Sequence, residues 1–284
     1  MPFLWHLIAV IAMALPNVLG YNLVFGKGKI FHFGPLGVSI VSAYATFLTL
    51  MATQNYPLAI AVGFAASCAI ALVFAWLALR LEPDGLGVMS IAVHLALIAV
   101  VLNWDGLTRG ALGVPGIPRI PYLENAALFA CTAVAIAAVW AGILWRVQRG
   151  PFGRALSALA ENEWHARSLG ISRQRTYITA FLLGAVGAML TNMLYPQYLG
   201  LLHPSDFLFP HFIFMMMVVV AGKPGSVLGV VISCILLTLL KEGIRFVAIP
   251  STMVGPVRLL LFGMILFAAV WVRRKEMFVE KRSV

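Results

Sequence analysis

The sequence predicts an all-α fold, a polytopic membrane helix bundle of about nine transmembrane helices, or roughly eight to ten. Three observations predict it. Hydrophobic residues make up 62% of the 284 residues and charged residues only 11%, against about 25% charged in soluble domains, so the chain cannot cover itself with polar surface. Apolar stretches of about twenty residues, each long enough to cross a hydrocarbon core, recur from end to end. The basic residues fall in the short linkers between those stretches, where Lys and Arg set membrane orientation.

The candidate spans, in chain order, are about 4–25, 34–53, 57–79, 86–103, 123–145, 177–198, 207–222, 225–246 and 256–272. They leave no room for a separate soluble domain, so a single transmembrane domain over 1–284 is expected. The first twenty residues lack the positive region that opens a cleaved signal peptide, and Lys27 and Lys29 follow the apolar core. A retained first helix with its amino end outside is therefore predicted. Alternation from that start gathers Lys27, Lys29, Arg80, Arg146, Arg149, Arg154, Arg167, Arg173, Arg175 and Lys223 on one side. The tail residues Arg273, Arg274, Lys275, Lys281 and Arg282 join them. That side should be the cytoplasm, with the C-terminus inside. The opposite linkers hold chiefly Arg109 and Arg119, while Lys241, Arg245 and Arg258 stand near helix ends where long side chains can snorkel.

Between the first and second spans, residues 26–37 make a polar, glycine-rich break. It reads either as a partly re-entrant segment lining a cavity or as a flexible cytoplasmic loop. The outer linker 105–122, DGLTRGALGVPGIPRIPY, has glycines and prolines that forbid a continuous helix. The inner linker 146–176 is of mixed polarity and long enough for structure of its own. Pro151 can start a helix, Gly170 can end it in a left-handed cap, and Ser172 can cap the next. A helix over about 155–169 follows, with Leu156, Leu159, Ala166 and Leu169 as an apolar stripe beside Glu161, Asn162, Glu163 and Arg167. That is the build either of a docking helix or of a connector lying on the lipid surface.

Other functions are weakly supported. A net charge of +10 invites nucleic acid, but its placement in membrane linkers argues against that partner. Cys68, Cys131 and Cys234 stand singly without CxxC spacing, and the six histidines show no HExxH pattern, so no metal, no cofactor and no catalytic residue is expected. Neither GKGKIFHF nor GKPGSVLG has the GxxxxGK[ST] spacing that cradles phosphates. An ion-coupled secondary transporter of small solutes would need intramembrane carboxylates, and Asp206 and Glu242, both near helix ends, read as structural or snorkelling groups. Gly184, Ala185, Gly187 and Ala188 allow close helix approach. His94, Asn103 and Asn192 are polar groups within apolar spans, candidates either for a translocation path or for interhelical hydrogen bonds.

The run AENEWHARSLGISRQRTYITAFLLGAVGAM, 160–189, resembles the coupling-loop region of branched-chain amino acid permease subunits of ATP-binding-cassette importers. LTRGALGVPGIP, 107–118, resembles the outer glycine-rich loop of the same family, and VVAGKPGSVLGVVI and RLLLFGMILFAAVWVRR resemble its later turn and closing span. The resemblance covers nearly the whole chain and is strongest over about 107–274. Urea and amide permeases are close relatives. The early GKGKIFHFGPLGVSIVSAY departs from the family's GQ-x-SLGH-like run, which leaves substrate preference open.

The resemblance implies an importer-type permease of the bacterial inner membrane, forming half of a translocation pathway and working without enzymatic activity. Its partners would be a second permease subunit, two ATP-binding subunits, an extracytoplasmic solute-binding protein and membrane lipid. By the same token 146–176 becomes a cytoplasmic coupling loop, with Glu161, Asn162, Glu163, Ala166, Leu169 and Gly170 touching the ATPase. Gly110, Gly113, Pro115, Gly116 and Pro118 would frame the outer gate or meet the binding protein.

Overall fold

The computed structural model describes residues 2–120, 123–244 and 251–277. Tyr122, Arg245, Lys281 and Arg282 lie outside the described residues, as does the end of the span expected over 225–246. Helix α1 (Pro2–Tyr21) continues as a π-helical turn, Asn22–Lys27. Helices α2 (Gly34–Thr53), α3 (Tyr56–Arg80) and α4 (Pro83–Asn103) follow, then the short α5 (Asp105–Thr108) and strand β1 (Val114–Pro115). Helix α6 (Ala126–Arg149) leads through α7 (Pro151–Glu161) and α8 (Glu163–Ser168) to the long α9 (Arg173–Leu199). After β2 (Leu201–Leu202) come a 3-10 turn (Pro204–Phe207) and helices α10 (Phe209–Ala221), α11 (Val227–Gly243) and α12 (Ser251–Met277).

Short polar side chains write several of the helix starts. Asn55, Ser172 and Ser226 accept from the backbone N–H of Leu58, Arg175 and Gly229, satisfying donors that a helix N-terminus leaves free. Eight helical segments among the described residues are long and apolar enough to cross a membrane. The 17 residues of α11 stand at the lower limit of about 17 for crossing. The span expected over 207–222 is a composite: the 13 residues of α10 reach membrane length only with the 3-10 turn before them.

Helix α1 is the centre of the bundle and α9 lies directly on it. Small residues permit the approach. A Cβ on Gly20 would stand 3.0 Å from the Gly184 carbonyl oxygen, and one on Gly187 would collide with the Pro16 carbonyl oxygen. That carbonyl also accepts from Trp140 Nε1 of α6 at 3.1 Å. On the far side of α9, Ser67 of α3 donates to the Ala185 carbonyl at 3.0 Å. The outward faces stay apolar, with Trp76, Val88 and Leu228 each more than half exposed, as helices bathed in lipid require.

Residues 26–37 fold back into the bundle rather than forming a flexible loop. The π-turn widens α1 so that Ile30 N–H reaches the Val24 carbonyl. His32 is buried between Tyr21, Phe74 and Phe181, and its Nδ1 accepts from Gly34 N–H at 3.0 Å. Phe33 N–H donates to Ser90 Oγ of α4. A Cβ on Gly34 would stand 2.9 Å from the Phe74 ring, so glycine is what lets α2 begin against α3. With Phe31 and Phe33, this re-entrant stretch lines an apolar groove of about 710 Å³ beside Gly87 and Ile91 of α4.

The two ends of the bundle differ in chemistry. One gathers the basic linkers: Lys27, Lys29 and Lys223 surround a groove of about 230 Å³ with Glu161, and Arg173 donates to the Ala78 carbonyl near the end of α3. At the other end β1 pairs antiparallel with β2, Val114 opposite Leu202. The Gly200 carbonyl accepts from Gly116 N–H and Ile117 N–H, and Arg119 donates to the carbonyls of Gln197 and Tyr198. Gly113 has a φ of +69°, and a Cβ there would lie 2.6 Å from the Leu202 carbonyl oxygen, so both conformation and crowding require glycine. The outer linker, kept from a continuous helix by its glycines and prolines, is thus tied down over the end of α9.

Candidate functional sites

The inner linker is two helices, not one. Asn162 takes an extended conformation that ends α7, and its Oδ1 accepts from His165 N–H to start α8. Asparagine favours such a cap because its short amide competes with the helical ladder. Leu156, Leu159 and Ala166 of the expected stripe are buried, seating both helices on the bundle. Leu169 is 80% exposed, as is Trp164. The stripe therefore anchors the linker, and a different pair of apolar groups projects from it.

The polar groups of the linker divide in the same way. Glu163 Oε1 lies 3.6 Å from Arg167 and 3.3 Å from Arg173, stapling α8 to the start of α9. Glu161 is exposed at the rim of the groove that holds Lys27, Lys29 and Lys223. Gly170, at φ +83° with open space around it, ends α8 while Ile171 N–H returns to the Ala166 carbonyl. Trp164 was not singled out by sequence reading; a large aromatic in a mixed-polarity linker was the signal that could have found it.

A second site lies between α1, α2, α9, α10 and α11, a cavity of about 130 Å³ reaching toward the end that carries β1 and β2. One face of α1 supplies Val10, Met13, Ala14 and Val18 at helical spacing, with Asn17 among them. Asn17 Nδ2 donates to Ser39 of α2 at 3.1 Å, and its backbone N–H donates to Thr191 Oγ1 of α9. Asn192 and Tyr195 continue the α9 wall. Asn192 Nδ2 donates to the Ala188 carbonyl at 2.7 Å. Pro196, lacking an N–H, leaves the Asn192 carbonyl without its helical donor four residues on. The cavity wall is thus polar where Asn17, Ser39, Thr191 and Asn192 meet.

Charged groups complete this cavity: Asp206 on the 3-10 turn, His211 on α10 and Lys241 on α11. Its neighbour Glu242 faces elsewhere, with its carboxylate 4.0 Å from His6 Nε2, while His6 Nδ1 is 2.6 Å from the Tyr198 hydroxyl. Of the three path candidates only Asn192 lines the cavity. His94 is buried on α4 beside Phe207, outside it. Asn103 is exposed, its amide donating to the Ala99 carbonyl of its own helix. Gly110, Gly113, Pro115, Gly116 and Pro118 lie together in the β1 cap; Pro118 accepts from the Tyr56 hydroxyl at 3.2 Å. No group of three or more candidate metal ligands occurs among the described residues.

Comparison with known proteins identifies a family. A family model described as the permease component of branched-chain amino acid transport systems matches residues 4–270. The high-affinity branched-chain amino acid transport system permease protein LivM of Escherichia coli K12 is 26% identical over 259 residues, covering 80% of this chain and 60% of the relative. The LivM protein of Salmonella typhimurium is 27% identical over 258 residues, with the same coverage. The corresponding LivH protein of Escherichia coli K12 is 25% identical over 208 residues, 66% of this chain and 67% of the relative. The chain thus spans about three fifths of the length of the LivM relatives it matches. No solved structure gives a significant match.

Proposed function

We propose, from the premise that this chain belongs to the family of permease components of branched-chain amino acid transport systems, that it forms half of the translocation pathway of an ATP-driven importer. The solutes are branched-chain amino acids or related small amides. A second permease subunit supplies the other half, two ATP-binding subunits drive it, and an extracytoplasmic binding protein delivers the solute. The basic end of the bundle faces the cytoplasm, with the N-terminus outside and the C-terminus inside. The chain itself does no covalent chemistry.

The observation that carries this reading is the linker at the basic end. Leu156, Leu159 and Ala166 fix it to the bundle, while Trp164 and Leu169 project with Glu161 nearby. Exposed aromatic and aliphatic groups on an anchored helix are what a partner's groove takes up. The linker continues through Gly170 and Ser172 into α9, whose other half lines the polar cavity. Movement imposed by a partner would therefore reach the path directly.

The test is reconstitution of the chain with its ATPase, companion permease and binding protein in proteoliposomes. ATP-dependent uptake of a branched-chain amino acid is expected. Glu161→Ala and Gly170→Ala should uncouple ATP hydrolysis from uptake while leaving the protein in the membrane. Uptake driven by an ion gradient with this chain alone would replace the reading with a secondary transporter.

A further inference from the structure

Two adjoining grooves at the basic end of the bundle differ in chemistry and share a mouth. The apolar groove of about 710 Å³ is walled by Phe31 and Phe33 of the re-entrant stretch, Gly87, Val88 and Ile91 of α4, and Met216 of α10. The basic groove of about 230 Å³ lies between the re-entrant stretch, α7 and the turn before α11, with Lys27, Lys29 and Lys223 around it. Gly26, Lys29 and Pro224 line both grooves. From Pro83 at that mouth to Ile91 the apolar groove runs about 12 Å along α4, at 1.5 Å per residue. That is most of one leaflet of a hydrocarbon core about 30 Å thick. Val88 on its wall is 69% exposed, so the groove borders on the bilayer. It shares no lining residue with the polar cavity between α1 and α9.

We propose that the joined grooves bind one anionic glycerophospholipid of the leaflet at the basic end, its phosphate among the lysines and an acyl chain in the apolar groove. Among the described residues no carboxylate lies within 4.0 Å of Lys27, Lys29 or Lys223. Glu161 in the basic groove and Asp84 in the apolar one are the carboxylates of the two linings, so the three lysines leave the shared mouth net positive. A phosphate there gains charge-assisted hydrogen bonds, and basic pockets between membrane helices take up anionic headgroups for that reason. A soluble anion would leave Phe31, Phe33, Val88 and Ile91 bare, and a wholly apolar partner would leave the cations unmatched. A phospholipid satisfies both grooves at once. Ser157, Ala160 and Glu161 of α7 also line the basic groove, so the headgroup would bridge the inner linker and the re-entrant stretch. The inference rests on the membrane-spanning fold and is independent of the solute carried.

The experiment is native mass spectrometry of the purified full chain, stripped of lipid in detergent and titrated with dioleoyl phosphatidylglycerol or dioleoyl phosphatidylcholine. One phosphatidylglycerol should bind at least about tenfold more tightly than phosphatidylcholine. Lys29→Gln should weaken phosphatidylglycerol about fivefold, and Lys29→Gln with Lys223→Gln about 30-fold, with phosphatidylcholine little changed. Arg146→Gln, the same loss of charge at an exposed position of the same end outside both grooves, should change neither lipid. In Gly87→Leu the new side chain starts 3.7 Å from the Phe31 ring and fills the apolar groove, so both lipids should weaken. Each variant is first required to elute as a single species and to melt like the parent; if Gly87→Leu does not, the lysine variants decide alone. Equal binding of the two lipids, or a loss with Arg146→Gln equal to that with Lys29→Gln, overturns the proposal. So does glycerol 3-phosphate binding as tightly as phosphatidylglycerol, which would make this an anion site without a chain. Displacement of the bound lipid by a companion permease overturns it too, by making the groove a subunit interface. Each of these results concerns lipid alone, and the permease reading stands or falls separately on ATP-dependent import by the complete assembly.

Discussion

Replacing Trp164 with Ala should weaken ATPase binding while leaving the permease fold intact. Trp164 is 80% exposed, and its ring has the Arg167 guanidinium carbon 5.8 Å from its centroid. Glu163, Arg173 and the Ala78 carbonyl hold the segment without it, so the change in fold stability should stay within about 0.5 kcal/mol. A buried tryptophan hides roughly 200 Å², and about four fifths of that is still open here. At about 25 cal/mol per Å² the burial available on docking is about 4 kcal/mol. Truncated hot-spot residues realise about 2–4 kcal/mol, which is roughly 30- to 1,000-fold in affinity. The assay is binding of the purified ATPase to the permease in nanodiscs, beside thermal unfolding of the permease alone. Leu156→Ala is the contrast: Leu156 is fully buried, and its truncation should lower stability by about 2–5 kcal/mol. If Trp164→Ala binds the ATPase as tightly as the parent, the docking argument is refuted and Trp164 belongs to the aromatic belt at the lipid surface.

Two further changes probe the scaffold around the cavity. In Gly187→Ala the new methyl group collides with the Pro16 carbonyl and lies 3.2 Å from Trp140 Nε1. Overpacking with loss of that hydrogen bond should destabilise the chain by about 2–4 kcal/mol in thermal or denaturant unfolding. Gly142→Ala, with nothing within 4 Å of the added Cβ, should not. Arg119→Ala removes both donors to the Gln197 and Tyr198 carbonyls, so amide exchange at Gly116, Leu201 and Leu202 should accelerate by roughly tenfold.

The bundle was legible because crossing a membrane demands long apolar runs, and these survive in sequence without reference to any neighbour. Caps at Ser172 and Gly170 were legible for the same reason, since a helix end is a local event. The cavity was not. Asp206 and Glu242 look alike in sequence, each a lone carboxylate near a helix end. One is turned to His6 and the other into the cavity by the rotation of α11 and the 3-10 turn before α10. His94 and Asn103 show the converse: polarity within an apolar span does not say which way a helix face turns. Residues 26–37 left a re-entrant segment and a free loop open. What decided between them was the burial of His32 by rings on α1, α3 and α9, a contact between distant parts of the chain.

The geometry of α9 sets how a displacement at the basic end would arrive at the cavity. Gly184 rests against Gly20 of α1, backbone to backbone, with the Val24 side chain beside them. A contact without interlocking side chains resists sliding and tilting less than knobs packed into holes, so it can serve as the pivot. At 1.5 Å per residue, Ser172 lies about 18 Å from Gly184 on one side and Asn192 about 12 Å on the other. A rigid tilt about that point would move Asn192 by about two thirds of any shift at Ser172, in the opposite direction. The Asn17 backbone N–H bonded to Thr191 Oγ1 stands across that motion, as does Arg119 on the Gln197 and Tyr198 carbonyls. A tilt of α9 must break or carry along both sets of contacts, so on the permease reading it would remodel the cavity wall at Thr191 and Asn192.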